Sequence, residues 1–299
     1  MKKQIIAKLL SIREGIYQSD IKNIRLQEYE TKVKVDTYSY GNEDLQKLNI
    51  YTTNSFSKQL RPLLIDIHGG GWCYGDKDTN GLLCMDFAKK DYIVMSMSYR
   101  LLPEHKLVDA IKDIFNSLHY LYTLKEKYQI DFSNVAIMGD SAGGHLNLLV
   151  NAINNSAMLL DYFNVNKLPF EVKCIIANHP ATQMGTSMLD KSYLRTYRRI
   201  AFGMNYTKSY FYPYVIAKSF VNFLDKSTPI LVITSVEDDI VRKQAFEYKK
   251  LFSKKNIPFV FYDEKSENSE HVFNVTRPFR NISMKCNNYI DEFIKKNLK

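Results

Sequence analysis

Six short apolar runs, separated by longer stretches with helical patterns, constrain the fold of this chain more than any other feature. The runs cover residues 62–68, 92–99, 135–139, 174–178, 229–234 and 258–263. A continuous apolar run of this length is typical of a strand that is buried on both faces of a sheet. Helical candidates lie at residues 79–90, 104–128, 143–155, 240–255 and 278–298. This alternation predicts an α/β fold in which helices cover both faces of a mostly parallel central sheet.

Four other segments complete this organisation. Residues 24–38 and 46–54 alternate polar and apolar side chains, which predicts exposed, antiparallel edge strands. Residues 1–22 have the pattern of an amphipathic helix, and residues 183–226 form a long insertion rich in Tyr, Phe and Met. Because no repeat, low-complexity tract or linker interrupts residues 1–299, we expect a single domain.

Composition and charge narrow the class of protein. No apolar run approaches the roughly 20 residues that a membrane span needs, and Lys8 and Arg13 interrupt the apolar N-terminal stretch. We therefore expect a cytoplasmic protein that does not bind membranes. The formal net charge of +9 is spread along the whole chain, which favours a solvated surface over a nucleic-acid site. The weaker alternative, nucleic-acid binding, would be sensitive to salt.

The four cysteines show no spacing typical of a metal site or of a redox pair. They are Cys73, Cys84, Cys174 and Cys286. We expect reduced, mostly buried thiols and no bound metal.

The stretch VAIMGDSAGGHLNLLV, residues 135–150, combines a strand pattern, a turn and a helical pattern. Gly139, Ser141 and Gly143 form a G-x-S-x-G motif at the turn. In this context the motif predicts a nucleophile elbow, in which a strained turn between small residues exposes the serine hydroxyl above the sheet.

A run of three glycines follows the first of the six apolar runs, in the sequence HGGGW at residues 68–72. Successive glycines leave backbone N–H groups uncovered, and such groups can stabilise a developing oxyanion. A flexible glycine turn is the simpler interpretation, but it does not explain why the run ends a buried strand upstream of an elbow.

Together with YRLLPEH at residues 99–105 and GDSAGG at 139–144, HGGGW resembles the α/β-hydrolase family of hormone-sensitive-lipase type, which contains carboxylesterases and lipases. The resemblance spans residues 60–275 and implies an α/β-hydrolase fold with a helical cap, here residues 1–22 and 183–226. It implies that Ser141 is the nucleophile. It also implies an oxyanion hole built by Gly70, Gly71 and the N–H of Ala142.

The serine needs a base, and the base needs a carboxylate to orient it. In this fold the acid and then the histidine follow the nucleophile along the chain. His271 follows the last predicted strand and is the only histidine after residue 179, so it is the candidate base. Asp238 and Asp239 both follow the preceding strand; the family usually has Asp-Pro-Leu here, which favours Asp238 and leaves Asp239 as the alternative.

Other motif residues have less specific interpretations. Trp72 could form a wall of the acyl pocket, and Asp140 could tune the site or contact substrate. Tyr193 and Tyr197, in the aromatic insertion, could contact an apolar substrate. His68 and Arg100 are expected to brace the glycine run and a strand end.

The resemblance and these residues predict a serine carboxylesterase that acts on small to medium acyl or aryl esters through an acyl-enzyme, without a cofactor, as a monomer or homodimer. Two alternatives stay open. The same residues could cleave formamides or remove acetyl groups from sugars or xylan, or the chain could be a non-catalytic ligand-binding protein. Retention of His271 argues against the last alternative.

Overall fold

The central element of the molecule is an eight-stranded sheet. The computed structural model describes residues 6–7, 10–11, 13–18, 32–53, 59–182, 198–202, 205, 208 and 210–298. The strands are Val33–Ser39 (β1), Lys47–Thr53 (β2), Arg61–Ile67 (β3), Ile93–Met97 (β4), Ile130–Asp140 (β5), Cys174–Asn178 (β6), Ile230–Ser235 (β7) and Phe259–Glu264 (β8). Their order is β1-β2-β4-β3-β5-β6-β7-β8, in which β1 and β2 pair antiparallel and β3 to β8 are parallel. This sheet confirms the predicted α/β fold.

Helices cover both faces of the sheet, as the alternating pattern predicts. They are Gly81–Ala88 (α1), Leu107–Thr123 (α2), Lys125–Tyr128 (α3), Ala142–Asn154 (α4), Ala157–Phe163 (α5), Tyr212–Val215 (α6), Ala217–Phe220 (α7), Arg242–Lys255 (α8), Phe273–Thr276 (α9) and Asn281–Asn297 (α10). Apolar residues of α2, α4, α5 and α8 bury one face, and those of α1, α9 and α10 bury the other. No described helix has the length and apolar character required to cross a membrane.

Three predicted elements differ from the observed ones. Residues 46–54 were predicted as an exposed edge strand, but β2 lies between β1 and β4 and five of its seven residues are buried, so that prediction was wrong; its antiparallel pairing is confirmed. β8 is the last strand of the sheet among the described residues and is only half-buried, because β7 is its one described strand neighbour; the prediction of a strand buried on both faces was wrong there. The single helix predicted over 104–128 is divided at Leu124 and stops at Gln129, whose φ of 52° lies in the left-handed region.

The parallel arrangement brings the chemically important segments to one edge of the sheet. The carboxyl ends of β3, β5, β6 and β7 lie side by side. β3 leads into the glycine run, β5 into the G-x-S-x-G turn, β6 towards the aromatic insertion and β7 into the segment that contains Asp238 and Asp239. Ligand sites of open α/β sheets lie at this edge. Side chains that are far apart in the sequence therefore meet there.

Candidate active site

The nucleophile elbow is a turn of a single residue, Ser141. β5 ends at Asp140 and α4 begins at Ala142. Ser141, between them, has a φ of 51° and a ψ of −111°, a backbone conformation that residues other than glycine rarely adopt. Neighbouring backbone holds this conformation: Ser141 N–H donates to the carbonyl of Asn178 at 2.9 Å, and the Ser141 carbonyl accepts from Ala181 N–H at 3.1 Å. The predicted strand, turn and helix are all present.

The glycines of the motif allow α4 to approach the strand ends. A Cβ atom on Gly143 would overlap the carbonyl oxygen of Ile67 at the end of β3, and one on Gly139 would lie 2.5 Å from the carbonyl oxygen of Gly143. Since real Cβ atoms do not approach backbone so closely, only glycine fits at these positions. The motif spacing is thus a packing requirement of the elbow.

The structure brings together the three residues predicted as nucleophile, base and acid. Ser141 Oγ lies 3.1 Å from His271 Nε2, and His271 Nδ1 lies 3.1 Å from Asp238 Oδ1. Asp238 Oδ1 also accepts hydrogen bonds from the N–H groups of Ile240 and Val241, both at 2.9 Å. This arrangement can move a proton from the serine hydroxyl to the imidazole while the carboxylate fixes the ring.

The surroundings of Asp238 keep it ionised. Burial by itself raises the pKa of this carboxyl group, but the hydrogen bond and charge of His271 and the N–H of Val241 outweigh it and lower the pKa to about 2. Asp239, the alternative acid, is exposed at the surface. The geometry therefore favours Asp238 as the partner of His271.

The glycine run forms a tight turn directly after β3. Gly70 and Gly71 have φ values of 90° and 59°, which is the left-handed region that favours glycine. His68 stacks on the ring of Tyr99 at 4.3 Å, and its Nδ1 lies 2.9 Å from the carbonyl oxygen of Gly69, so it braces the turn as expected. Arg100, which follows the end of β4, binds Asp113 of α2 through two hydrogen bonds of 2.8 Å.

A buried carboxyl pair behind this turn was not predicted. Asp140 Oδ1 accepts from the Gly69 N–H at 2.9 Å and from Asn80 Nδ2 at 2.8 Å, and the same Asn80 Nδ2 donates to Asp66 Oδ2 at 3.0 Å. Burial, together with the charge of Asp140, raises the pKa of Asp66 well above its ordinary value. Asp140 thus braces the turn, and its predicted contact with substrate stays a prediction.

Trp72 packs inside the protein between the glycine run and the insertion. Its ring lies edge-on to the ring of His145 of α4, with centroids 5.4 Å apart. The His145 ring in turn lies 5.5 Å from that of Phe220 of α7, and its Nε2 lies 2.6 Å from the carbonyl oxygen of Val215. Burial lowers the pKa of His145 to about 4, so its ring is neutral near pH 7. A role for Trp72 in an acyl pocket stays a prediction, and the two other predicted contact residues, Tyr193 and Tyr197, lie outside the described residues.

The described part of the N-terminal segment contacts the site region. Arg13 donates from Nε to the carbonyl oxygen of Cys73 at 2.7 Å and from Nη2 to that of Leu102 at 2.5 Å, and it pairs with Glu104 at 2.7 Å. This contact places residues 13–18 beside the loop that follows the glycine run. A cap over residues 1–22 stays a prediction, since only part of that segment is among the described residues.

The cysteines and acidic residues show no sign of a metal centre within the described ranges. All four cysteines are free and buried, as predicted for the thiols. Among the residues that the structure describes, no group of three or more His, Cys, Asp or Glu side chains could hold a metal ion.

Comparison with known proteins finds similarity to enzymes that are named as esterases or deacetylases. Rabbit (Oryctolagus cuniculus) arylacetamide deacetylase is 38% identical over 104 residues, and carboxylesterase 20 of Arabidopsis thaliana is 36% identical over 131 residues. These matches cover 33% and 42% of this chain but only 26% and 38% of the two relatives. The chain therefore spans less than two fifths of the length of these curated proteins.

Solved structures resemble the chain over nearly its full length. Esterase B from Lactobacillus rhamnosis (HN001) superposes with a TM-score of 0.91 at 26% identity, covering 99% of this chain and 95% of that one. The same esterase has also been solved with a C4-C4 sn-3 tributyrin phosphonate inhibitor. The BD-FAE family model matches residues 48–251, which include the glycine run, the elbow and Asp238. The chain therefore belongs to the BD-FAE family, whose domain occurs in α/β-hydrolases of hormone-sensitive-lipase type.

Proposed function

We propose that this protein is a serine hydrolase that cleaves carboxylic esters with small to medium acyl or aryl groups. One observation carries the proposal: Ser141 Oγ, the His271 ring and the Asp238 carboxylate form a continuous series of contacts, each 3.1 Å long. A serine hydroxyl is a weak nucleophile unless a positioned base removes its proton, and this geometry supplies that base.

The reaction proceeds in two steps on the residues present. His271 Nε2 takes the proton of Ser141 as the hydroxyl oxygen attacks the ester carbonyl carbon, and the new oxyanion is held by backbone N–H groups of Gly70, Gly71 and Ala142. His271 then gives the proton to the leaving alcohol, which departs and leaves an acyl-serine. Water, deprotonated by the same ring, attacks the acyl carbon. The bond from the acyl carbon to Ser141 Oγ then breaks, His271 returns the proton to Oγ, and the carboxylic acid leaves.

The acyl size is supported by the comparison with esterase B. That enzyme is inhibited by a phosphonate related to tributyrin, an ester of short acyl chains. This chain shares its fold at a TM-score of 0.91, and Trp72, His145 and Phe220 already fill space between the glycine run and the insertion. We therefore place the preferred acyl group among the shorter ones.

An aryl amide is the second candidate substrate. The match of 38% identity to arylacetamide deacetylase favours it, because a protein with that name acts on an acetylated aryl amine. The same residues would serve, with the amine as the leaving group in place of the alcohol. Formamides and acetylated sugars belong in the same substrate panel.

The test is hydrolysis of p-nitrophenyl esters from acetate to long acyl chains, with an arylacetamide, a formamide and an acetylated sugar beside them. Wild type is expected to prefer short acyl esters. Ser141→Ala should lower kcat by about 10⁴-fold or more. Ser133→Ala, at an exposed serine on β5, is the matched control and should retain full activity. A wild type that is inactive on every ester would reject the esterase proposal.

Covalent labelling identifies the nucleophile directly. A p-nitrophenyl alkylphosphonate should form a phosphorus–oxygen bond with Ser141 as p-nitrophenolate leaves, and mass spectrometry should find the adduct on the peptide that contains residues 139–144. An adduct on another serine would contradict the assignment.

We further propose that no metal is needed, that the protein is cytoplasmic and that it is a monomer or homodimer. Full activity after treatment with a chelator is the expected outcome, because every step uses a group of the chain or water. Light scattering of the purified protein would test the oligomeric state.

A further inference from the structure

Behind the candidate triad, five buried side chains form an unbroken series of hydrogen bonds. We call it the amide–imidazole chain; its members are Ser235, His179, Asn178, Asn274 and Asn287, and each is at most 1% exposed. Ser235 Oγ lies 3.0 Å from His179 Nε2, and His179 Nδ1 lies 2.8 Å from Asn178 Oδ1. Asn178 Nδ2 then donates to Asn274 Oδ1 at 3.0 Å, and Asn274 Nδ2 to Asn287 Oδ1 at 2.9 Å.

One backbone carbonyl sets the direction of every bond in this chain. Asn287 Nδ2 donates to the Asn274 carbonyl oxygen at 3.1 Å, and a carbonyl oxygen can only accept. The side-chain oxygen of Asn287 must therefore accept from Asn274 Nδ2, which leaves Asn274 Oδ1 to accept from Asn178 Nδ2. Asn178 Oδ1 is then the acceptor that faces His179 Nδ1. The His179 ring is consequently protonated on Nδ1, and its Nε2 accepts the hydroxyl proton of Ser235.

The charge state of His179 agrees with this assignment. Burial lowers the pKa of the ring to about 3, although the nearby charge of Asp238 opposes that change. His271, Arg242 and Asp263 are the other titratable or charged groups that act on it. The ring therefore stays neutral, with one donor and one acceptor, throughout the range in which an esterase works.

The amide–imidazole chain connects the segments that carry the base and the acid. Ser235 is the last residue of β7 and accepts the N–H of Asp238 on its carbonyl oxygen, at 3.4 Å. Asn274 lies in α9, three residues after His271. A shift of either loop would break a bond in the chain and leave a buried polar group without its partner, which is costly.

Residues of the amide–imidazole chain also contact Ser141 and His271, the proposed nucleophile and base. The carbonyl oxygen of Asn178 accepts the N–H of Ser141 at 2.9 Å. The His179 ring stands edge-on to the His271 ring, with centroids 5.6 Å apart and an interplanar angle of 87°. His179 adopts a φ of 46°, a conformation that costs free energy for a residue other than glycine. The surrounding contacts must offset that cost.

We propose that His179 is a positioning residue for the reaction. Through its bonds to Ser235 and Asn178 it fixes the segments that carry His271 and Asp238 relative to Ser141. The inference rests on the proposed function, because it assigns His179 to the same Ser141–His271–Asp238 site. His179 does not itself touch the reacting atoms, and its effect is exerted through the orientation of the His271 ring.

Kinetics of two single variants and their combination test this role. His179→Phe keeps a ring against His271 but removes both nitrogens, and Ser235→Ala removes only the hydroxyl. Each should lower kcat for a short acyl ester by about 10-fold while KM stays within about 2-fold, since orientation matters most in the transition state. Because both variants break the same contact, the double variant should lose far less than the product of the two single losses.

The matched control is Thr234→Val, one residue before Ser235 in the same strand. Its side chain is fully buried, and Thr234 Oγ1 contacts no hydrogen-bonding partner among the described residues. This variant also loses a buried hydroxyl, yet it should keep the wild-type kcat. If His179→Phe and Ser235→Ala keep the wild-type kcat and change only the melting temperature, the positioning role is overturned.

A spectroscopic measurement tests the bond directions without relying on activity. In wild type labelled with ¹⁵N-histidine, the signals that disappear in His179→Phe should be those of a ring protonated on Nδ1 and unchanged between about pH 5 and pH 9. A ring protonated on Nε2, or one that titrates in this range, would overturn the proposed chain. A wild type that cleaves no ester would reject the proposed function whatever the spectrum shows, so the two failures can be told apart.

Discussion

At the scale of single residues, the candidate site depends on side chains whose charge state is set by what surrounds them. Asp238 stays ionised because His271 and the N–H of Val241 outweigh the effect of burial and lower its pKa. Burial and the charge of Asp140 instead raise the pKa of Asp66. Two aspartates at the same edge of one sheet therefore have pKa values on opposite sides of their ordinary value.

The choice between the two candidate acids can be tested by exchanging each carboxylate for an amide. Asp238→Asn should lower kcat by about 10⁴-fold, because the amide no longer stabilises the required form of the His271 ring. Asp239→Asn is the matched control; it removes an exposed charge one residue away and should change kcat by less than about 3-fold. Steady-state kinetics on one short ester decide the question, and a larger loss in Asp239→Asn would reverse the assignment.

The raised pKa of Asp66 predicts a dependence of stability on pH. The folded protein keeps a proton that the unfolded chain releases above the ordinary value of 3.8, so the free energy of unfolding falls as pH rises from there to the folded pKa. Asp66→Asn should flatten this fall, because the amide cannot ionise and can still accept from Asn80.

Melting temperatures at about pH 5 and pH 8 measure this effect. The difference between the two should be smaller in Asp66→Asn than in wild type, and Asp44→Asn, at an exposed acid, should leave it unchanged. Equal differences in wild type and Asp66→Asn would show that this carboxyl group does not titrate differently in the folded state.

At the scale of secondary structure, the elbow is built by the close approach of α4 to the ends of β3 and β5. The approach is possible because Gly143 and Gly139 have no side chain where backbone carbonyls pass. It places Ser141 at the helix start and the glycine run beside it, joined by the bond from Gly69 to Asp140. The position of Ser141 is thus a consequence of helix–strand packing.

Gly143→Ala should push α4 away from β3. The added methyl group would overlap the carbonyl oxygen of Ile67, so we expect a loss of about 1–3 kcal/mol in the free energy of unfolding and a large loss of activity. Urea denaturation measures the first effect. Gly15→Ala is the control and should be neutral or slightly stabilising, because the added Cβ at this helical glycine would meet no described atom within 4 Å outside its own helix and its chain neighbours. Equal stability of the two variants would contradict the packing argument.

At the scale of the whole molecule, two hydrophobic clusters enclose the sheet and leave its carboxyl edge for the site. The thiols belong to these clusters: Cys84, Cys174 and Cys286 lie in one, and Cys73 in the other. Burial raises the pKa of Cys174 to about 12, which keeps it in the unreactive thiol form. The cysteines are thus structural residues of the core.

Thiol labelling tests this view of the core. A thiol reagent should modify none of the four cysteines in the native protein over minutes, and all four in guanidinium chloride. The count is read by mass spectrometry of the intact protein. Rapid modification of one thiol in the native state would show that its part of the core opens on that time scale.

Local patterns in the sequence predicted the parallel sheet, the elbow at Ser141, the glycine run and His271 as the candidate base. Strand burial and a one-residue turn each restrict the neighbouring residue types, and chain order restricts which histidine can follow the last strand. Asp238 was favoured over Asp239, and only the tertiary structure separates them by burying one and exposing the other.

Neither the pair of Asp66 and Asp140 nor the amide–imidazole chain could be found in the sequence. Their members come from separate strands and helices, and a hydrogen bond between residues 96 positions apart, such as that from Asn178 to Asn274, has no local pattern. Parallel strands bring their carboxyl ends together only when the sheet has formed. The sequence therefore supplies the chemical groups, and only the folded sheet brings them into contact.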